Sequence, residues 1–368
     1  MLKMKILVLE SKLYYRRSNI IDFEKSFKNA TISYNGNLLY WMPFSYFKKY
    51  DLIVSTLYQS VANNIVIMKC RRHGIKTLLL SDGIIEWQNL YNNPYMKKLG
   101  VKLYDPIFHD YFAVMGRDEK NYLSTNGLTS CIGFIPKRAS FEMDKSTQER
   151  TMFLITTANN PYMDNEEKEE LFSFILSVQK YFIENSIPYK LRIFDEELIS
   201  LLQDKDKDVL NDVNTSFDFC IDNVLGLITT PSSIILKSMN QGIPTAQLIY
   251  RNSPLFLQSG WMLTSQRNIS STIKQMQSHC HERMKFQSSV INSYMDDIGE
   301  IGDKVLLSDV NKNGYEDCFN NLISRSRYVL DFEPIIRNFD DILKTFLPKS
   351  MLRNWKVFVK KAKYRGIK

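Results

Sequence analysis

The sequence predicts a two-domain α/β protein with a mainly parallel sheet in each half, on three observations. Short apolar runs rich in β-branched residues alternate with longer amphipathic stretches, the alternation stops at one polar stretch, and it then begins again. With 368 residues the chain is about twice a typical domain, and its 44% apolar and 12% aromatic content is enough to pack two cores.

In the first half, strands are predicted at Ile6 to Leu9, Asp51 to Ser55, Thr77 to Leu80, Tyr111 to Met115 and Ser130 to Phe134. Helices fall between them: Ile20 to Lys28, Tyr58 to His73 with Gly74 as the stop, and Arg117 to Thr125 closed by Asn126-Gly127. The stretch Lys137 to Arg150 mixes charges of both signs with no hydrophobic period and reads as an interdomain linker. The second half has strand Thr151 to Ile155, helix Asn165 to Glu184, strand Tyr189 to Phe194 and helix Glu196 to Gln203. Short strands then follow at Phe217 to Ile221 and Gly226 to Ile228, with a helix opened by Pro231 and a strand at Thr245 to Ile249. Beyond Ser270 the pattern is helical to about Phe346. The implied boundaries are an N-terminal domain at 1–140, a linker at 141–150, a second domain at 151–300, a helical region at 301–348 and a basic tail at 349–368. Both domains are expected to be Rossmann-like, with a cleft between them and ligands outside the carboxyl ends of the strands.

Composition excludes several classes. The net charge of +8 is matched by eight basic residues from Lys349 onward with no acid, leaving 40 basic against 40 acidic side chains elsewhere. A nucleic-acid binder would spread that charge over a face of its fold, so no nucleic-acid partner is expected. In the tail, Leu352, Trp355, Val359 and Ala362 recur near helical spacing with Phe358 alongside, which suits an anionic membrane surface. No run approaches the roughly 18 apolar residues needed to span a bilayer. The apolar run after Met1-Leu2-Lys3-Met4-Lys5 is too brief for a secretory signal. Five scattered cysteines form no metal-ligand spacing and fit a reducing cytoplasm. His279 and His281, two apart in a predicted helix, point away from each other, so neither a metal nor a cofactor is expected. His109 at a strand start reads as structural.

Three loops after strands carry candidate chemistry. In Thr229-Thr230-Pro231-Ser232-Ser233, Thr230 suits the N-cap and Pro231 the first helical position, while Gly242 and Pro244 suit the exit. Free backbone N–H groups and the hydroxyls of Thr229, Thr230, Ser232 and Ser233 would surround a phosphate, within reach of Lys237 and Arg251; a well-capped helix with solvated hydroxyls is the plain alternative. In Ser81-Asp82-Gly83-Ile84-Ile85-Glu86-Trp87, Gly83 permits a sharp turn, and Asp82, then Glu86, are candidate general bases. Trp87 offers a flat face for a sugar and Gln88 a hydrogen-bonding group, although a capping Asp with a buried Trp accounts for the same residues. The loop Thr156-Thr157-Ala158 lets a ligand approach the backbone, and Arg192, at the end of another strand, would pair a phosphate or a neighbouring carboxylate. No GxSxG, HExxH, Walker A or GxGxxG pattern is present.

The segment Asp222 to Leu248 resembles the strand, hydroxyl-rich loop, helix and Gly-x-Pro turn of GT-B glycosyltransferases of bacterial capsule and lipopolysaccharide biosynthesis, sialyltransferases and Kdo transferases among them. Asp110 to Pro136 resembles the end of an N-terminal GT-B domain. The resemblance implies that Ser232 and Ser233 bind the donor's phosphate and that Asp82, in a motif similar to the acidic motif ending in glycine, is the catalytic base. It further implies a nucleotide-sugar donor, with a CMP-sugar favoured, and an oligosaccharide or lipid-linked acceptor at the cytoplasmic membrane face. The His-Pro pair of such sialyltransferases is absent, so Arg192, Lys237, Arg251 or loop hydroxyls would meet the departing phosphate. A nucleotide-sugar epimerase, a polyol-phosphate transferase and a non-catalytic membrane-peripheral assembly protein are the alternatives.

Overall fold

The computed structural model describes residues 3–58, 60–93, 97, 102–105, 107–124, 130–139, 149–158, 163–295 and 301–307. The predicted helix stop Asn126-Gly127, the linker at 141–148, the helical region beyond 307 and the tail at 349–368 lie outside the described residues.

The first sheet has the order β2-β1-β3-β4-β5-β6. Its strands are β1 Met4–Val8, β2 Ala30–Ser33, β3 Leu52–Ser55, β4 Lys76–Leu80, β5 Tyr111–Val114 and β6 Ser130–Gly133. β1 pairs parallel with β2 and β3, and β3 with β4. Every residue of β3 and β5 is buried, which is why these strands read as unbroken apolar runs instead of alternating. Before β5 come helices α1 Lys12–Ser18, α2 Phe23–Ser26, α3 Phe44–Phe47, α4 Val61–Arg72 and α5 Trp87–Asn92, and α6 Arg117–Ser124 follows it. The predicted helix at Ile20 to Lys28 contracts to the single turn of α2, because Asp22 caps it at Lys25 N and the chain then enters β2, which the sequence pattern did not show.

The second sheet is parallel throughout, in the order β11-β10-β9-β7-β8. Its strands are β7 Met152–Thr156, β8 Tyr189–Arg192, β9 Val224–Thr229, β10 Thr245–Leu248 and β11 Trp261–Leu263. Helices α7 Asn165–Glu184, α8 Glu196–Lys205, α9 Phe217–Cys220, α10 Ile234–Asn240, α11 Ile269–Gln277, α12 His281–Met295 and α13 Ile301–Leu307 complete the described chain. α7 keeps its predicted limits because Asp164 and Glu167 close a reciprocal capping box at its start. Its inner stripe of Leu171, Phe174, Ile175, Val178 and Phe182 packs with Phe153, Leu191 and Ile228 of the strands. Three expectations are corrected. Phe217 to Ile221 is a helical turn instead of a strand, capped by Ser216 Oγ at Phe219 N. His279 and His281 do not share a helix: His279 takes a left-handed φ of 49° in the break between α11 and α12. The third concerns α10 and is described with the site.

The chain divides into two compact units, one of the residues up to Leu80 with Phe108–Tyr111 and the described residues from Val305, the other of Ser81–Ile107 with Phe112–Lys304. In the first unit, Glu10 is buried at the end of β1 and works as a hub. Its Oε1 accepts from Thr56 N, Leu57 N and Asn63 Nδ2, and its Oε2 from the Tyr15 hydroxyl. These bonds fix the loops after β1 and β3 and the first turn of α4, and they leave both carboxylate oxygens satisfied in an apolar setting. A second buried cluster sits before β5. Arg71 Nε lies 2.9 Å from Asp110 Oδ1, and Asp110 Oδ2 accepts from Thr77 N and Thr77 Oγ1. Beside it, His109 is wholly buried with Nε2 2.7 Å from Ser55 Oγ, and burial pushes its pKa down to about 3, so the ring is neutral and structural. Removing one member of the ion pair strands the other charge in the interior. Asp110→Ala is therefore expected to cost about 3–5 kcal/mol of unfolding free energy, read by urea denaturation, and a value under about 1 kcal/mol would show that the pair carries no stability.

In the second unit, Glu119 of α6 is completely buried, and the Tyr294 hydroxyl of α12 donates to its Oε1 at 2.6 Å. Gly116, at φ 84°, precedes this helix, and a Cβ there would overlap the Glu119 carboxylate and come within 2.6 Å of the Tyr294 ring. Desolvation raises the Glu119 pKa to about 7. The folded state consequently holds this proton over a range in which the unfolded state has lost it. The stabilisation is complete below the ordinary glutamate pKa and is lost as pH rises through about 7. Melting measured from pH 5 to pH 8 is expected to show stability falling by up to about 1.4 kcal/mol per pH unit from this group. Glu119→Gln, which cannot ionise, should flatten that slope.

Candidate active site

The predicted candidates converge on the ends of strands within the second unit. The helix at the hydroxyl loop is shorter than expected: α10 starts at Ile234 with Ser233 as N-cap, instead of starting at Pro231 with Thr230 as cap. Thr230 is unavailable as a cap because its Oγ1 accepts from Ala158 N at 2.7 Å, tying the loop after β9 to the loop after β7. Thr229 is turned inward, with its Oγ1 donating to Thr230 O, and both threonines are buried. Thr156 Oγ1 donates to Arg192 O, and Thr157 is buried beside it in sequence. Ser232 and Ser233 remain half-buried at the helix entrance, and the exit at Gly242 has the predicted left-handed turn, with φ 69°.

The loop carrying Asp82 reaches this entrance. Ile84 N donates to Ser233 Oγ at 3.0 Å, and a Cβ at Gly83 would come within 2.5 Å of that same oxygen. Glycine lets the two loops meet without displacing the Ser233 hydroxyl. Asp82 is not a helix cap: α5 begins at Trp87 with Glu86 as N-cap, and the Asp82 side chain is 58% exposed. Arg138 Nη2 stands 3.7 Å from Asp82 Oδ2 and also donates to Asp82 O. Arg138 escaped the sequence reading because it fell within the presumed linker, yet it follows β6 as the other site residues follow their strands. A carboxylate, a guanidinium and a serine hydroxyl thus share one surface.

A second constellation adjoins α5 and α7. Gln88 Nε2 donates to Glu167 Oε1 at 3.0 Å, and Arg251 Nε lies 3.6 Å from that oxygen. Arg251 Nη2 also donates to the Tyr250 hydroxyl, at 2.6 Å. The Arg251 side chain is only 4% exposed, and its Nη1 is buried with no hydrogen-bond partner among the described residues. A buried guanidinium with a spare donor is suited to an anion. Glu167 was legible only as part of an acidic first turn; its role as the bridge between Gln88 and Arg251 comes from tertiary packing. Trp87 packs against Tyr91, Tyr122 and Phe256 at ring separations of 4.9, 5.2 and 5.8 Å. Two candidates stand outside both groups. Lys237 is bound by Asp218, and Arg192 Nη1 donates to Asp212 O at 2.8 Å with its guanidinium over the Phe194 ring. Among the described residues no group of three His, Cys, Asp or Glu side chains could hold a metal ion.

No protein-family model matches the chain, and no curated protein matches it in sequence. In structure it is similar to the S. aureus MnaA–UDP co-structure, with a TM-score of 0.53 at 10% identity over 88% of this chain and 98% of that one. A putative UDP-N-acetylglucosamine 2-epimerase from Listeria monocytogenes gives a TM-score of 0.56 at 9% identity, over 83% and 94% of the two chains. The UDP-GlcNAc 2-epimerase from Neisseria meningitidis bound to UDP-GlcNAc gives 0.52 at 11%, over 83% and 100%. These likenesses define the class by fold: two parallel Rossmann-like sheets in a GT-B-like architecture.

The contact at Gly83 can be tested directly. Gly83→Ala is expected to destabilise the protein by about 1–3 kcal/mol through overpacking against Ser233, and Ser233→Ala placed in the same chain should recover part of that loss in a thermal melt.

Proposed function

We propose that the chain is a glycosyltransferase that moves a sugar from a nucleotide-activated donor onto a surface-polysaccharide or lipid-linked acceptor. The observation that carries this reading is the 3.0 Å hydrogen bond from Ile84 N to Ser233 Oγ, which draws the Asp82 loop onto the hydroxyl loop at the start of α10. Asp82 takes the proton of the acceptor hydroxyl, whose oxygen attacks the sugar's anomeric carbon as its bond to the donor phosphate breaks. Glu86 is the second choice of base. Ser232, Ser233 and Arg138 donate to the departing phosphate, and the unpaired Nη1 of Arg251 supplies a buried cation for the same nucleotide. Thr156, Thr157, Thr229 and Thr230 act by fixing the two loops, while Lys237 and Arg192 are held by Asp218 and Asp212 and take no direct part. Trp87 and Gln88 form the acceptor side, whereas Gly83 is buried against the Ser233 hydroxyl.

UDP in one similar solved structure and UDP-GlcNAc in another favour a uridine donor over the CMP-sugar that the motif resemblance implies. The UDP-N-acetylglucosamine 2-epimerases among the similar structures support a second reading, epimerisation of a nucleotide sugar. Thermal shift with a panel of CMP-, UDP- and GDP-sugars identifies the donor. Turnover of the labelled hit then separates the readings: transfer requires an added acceptor, whereas epimerisation changes the donor alone. Asp82→Asn is expected to lower transfer by about 10²–10⁴-fold while the donor still raises the melting temperature. An unchanged rate would remove Asp82 as the base.

A further inference from the structure

We propose that the segment from Gly36 to Tyr50 is a membrane-docking surface that takes the interface of an anionic lipid bilayer. Trp41 is 68% exposed, and its Nε1 already donates to Leu38 O at 2.9 Å, so the face it shows to solvent is apolar. Around it Tyr40, Met42, Phe44 and Tyr46 are half-exposed and Pro43 is exposed. Phe44 stacks on the exposed His73 ring at 3.6 Å. Cations frame this surface: Lys48 lies 5.7 Å from the Phe44 ring centre, Lys49 lies 3.9 Å from that of Tyr46, and Lys69 Nζ donates to the carbonyls of Tyr40 and Met42. Arg72 is exposed at the end of α4.

The charge pattern selects the occupant. Lys48, Lys49 and Arg72 are exposed here, and the one acid between Lys48 and Arg72, Asp51, accepts from Lys5 N. An overall balance of 40 basic and 40 acidic residues outside the tail conceals this excess. The most exposed other aromatic, Phe219 at 73%, follows Asp218 instead. Interfacial tryptophan and tyrosine at headgroup level, with lysines reaching outward to lipid phosphates, is the arrangement that favours a bilayer surface over water. The inference is independent of the transferase reading and of the basic tail.

The test uses the full-length chain with vesicles of phosphatidylcholine, alone or mixed with phosphatidylglycerol. The protein is expected to cosediment with the mixed vesicles and to lose binding in high salt. Brominated acyl chains should quench its tryptophan emission, and Trp41→Phe should remove most of that quenching whereas Trp355→Phe should not. Lys48→Glu with Lys49→Glu, both exposed and so compatible with folding, should weaken binding by about tenfold or more. The proposal is overturned if the double reversal binds as the unaltered chain does, or if Trp355→Phe alone removes the quenching. It is equally overturned if vesicles are not bound at all and Trp41 instead mediates a dimer or holds a soluble anionic polysaccharide.

Discussion

A single hydroxyl constrains the candidate site. Ser233 Oγ accepts from Ile84 N at the residue where the chain enters α10, and a Cβ at residue 83 would press on that same oxygen. That approach joins the Asp82 loop to the start of α10. It sets Asp82 at the rim with its carboxylate exposed, brings Arg138 onto it, and leaves the Ser233 proton free to point away from Ile84. A larger residue at 83 would have to displace the Ser233 hydroxyl.

The polar groups of the second unit divide by how fully they are satisfied. Thr229 and Thr230 are buried and hydrogen-bonded, so they act as ties between loops. Arg251 is buried and only partly bonded, held by the Tyr250 hydroxyl and the nearby Glu167 carboxylate with one nitrogen unmatched. Leaving a buried donor unmet costs about 1–3 kcal/mol, and a ligand that supplies the missing acceptor recovers it. Bonded threonines and an underbonded arginine thus differ in function for the same physical reason.

The sequence was most legible where local chemistry decides the outcome. α7 kept its predicted ends because a capping box and a long apolar stripe agree. The inner strands were visible as continuous apolar runs because both faces are covered. Short elements were not: β2 is only partly buried and β11 has three residues, too few for a period to emerge. Phe217 to Ile221 has strand-like composition yet turns into a helix once Ser216 caps it. The loops carrying Asp82, Gly83 and Ser233 were visible as turns after strands, while the cap expected at Thr230 falls at Ser233. Arg138 and Glu167 were not found in these roles, since nothing in their own segments distinguishes a tertiary partner from a solvated charge.

Charge is the property most easily misread from totals. Residues 1–81 hold 13 basic and 4 acidic side chains, and 349–368 hold 8 basic and none acidic, whereas 82–348 hold 27 basic and 36 acidic. The near-neutral body is therefore the cancellation of two opposed regions.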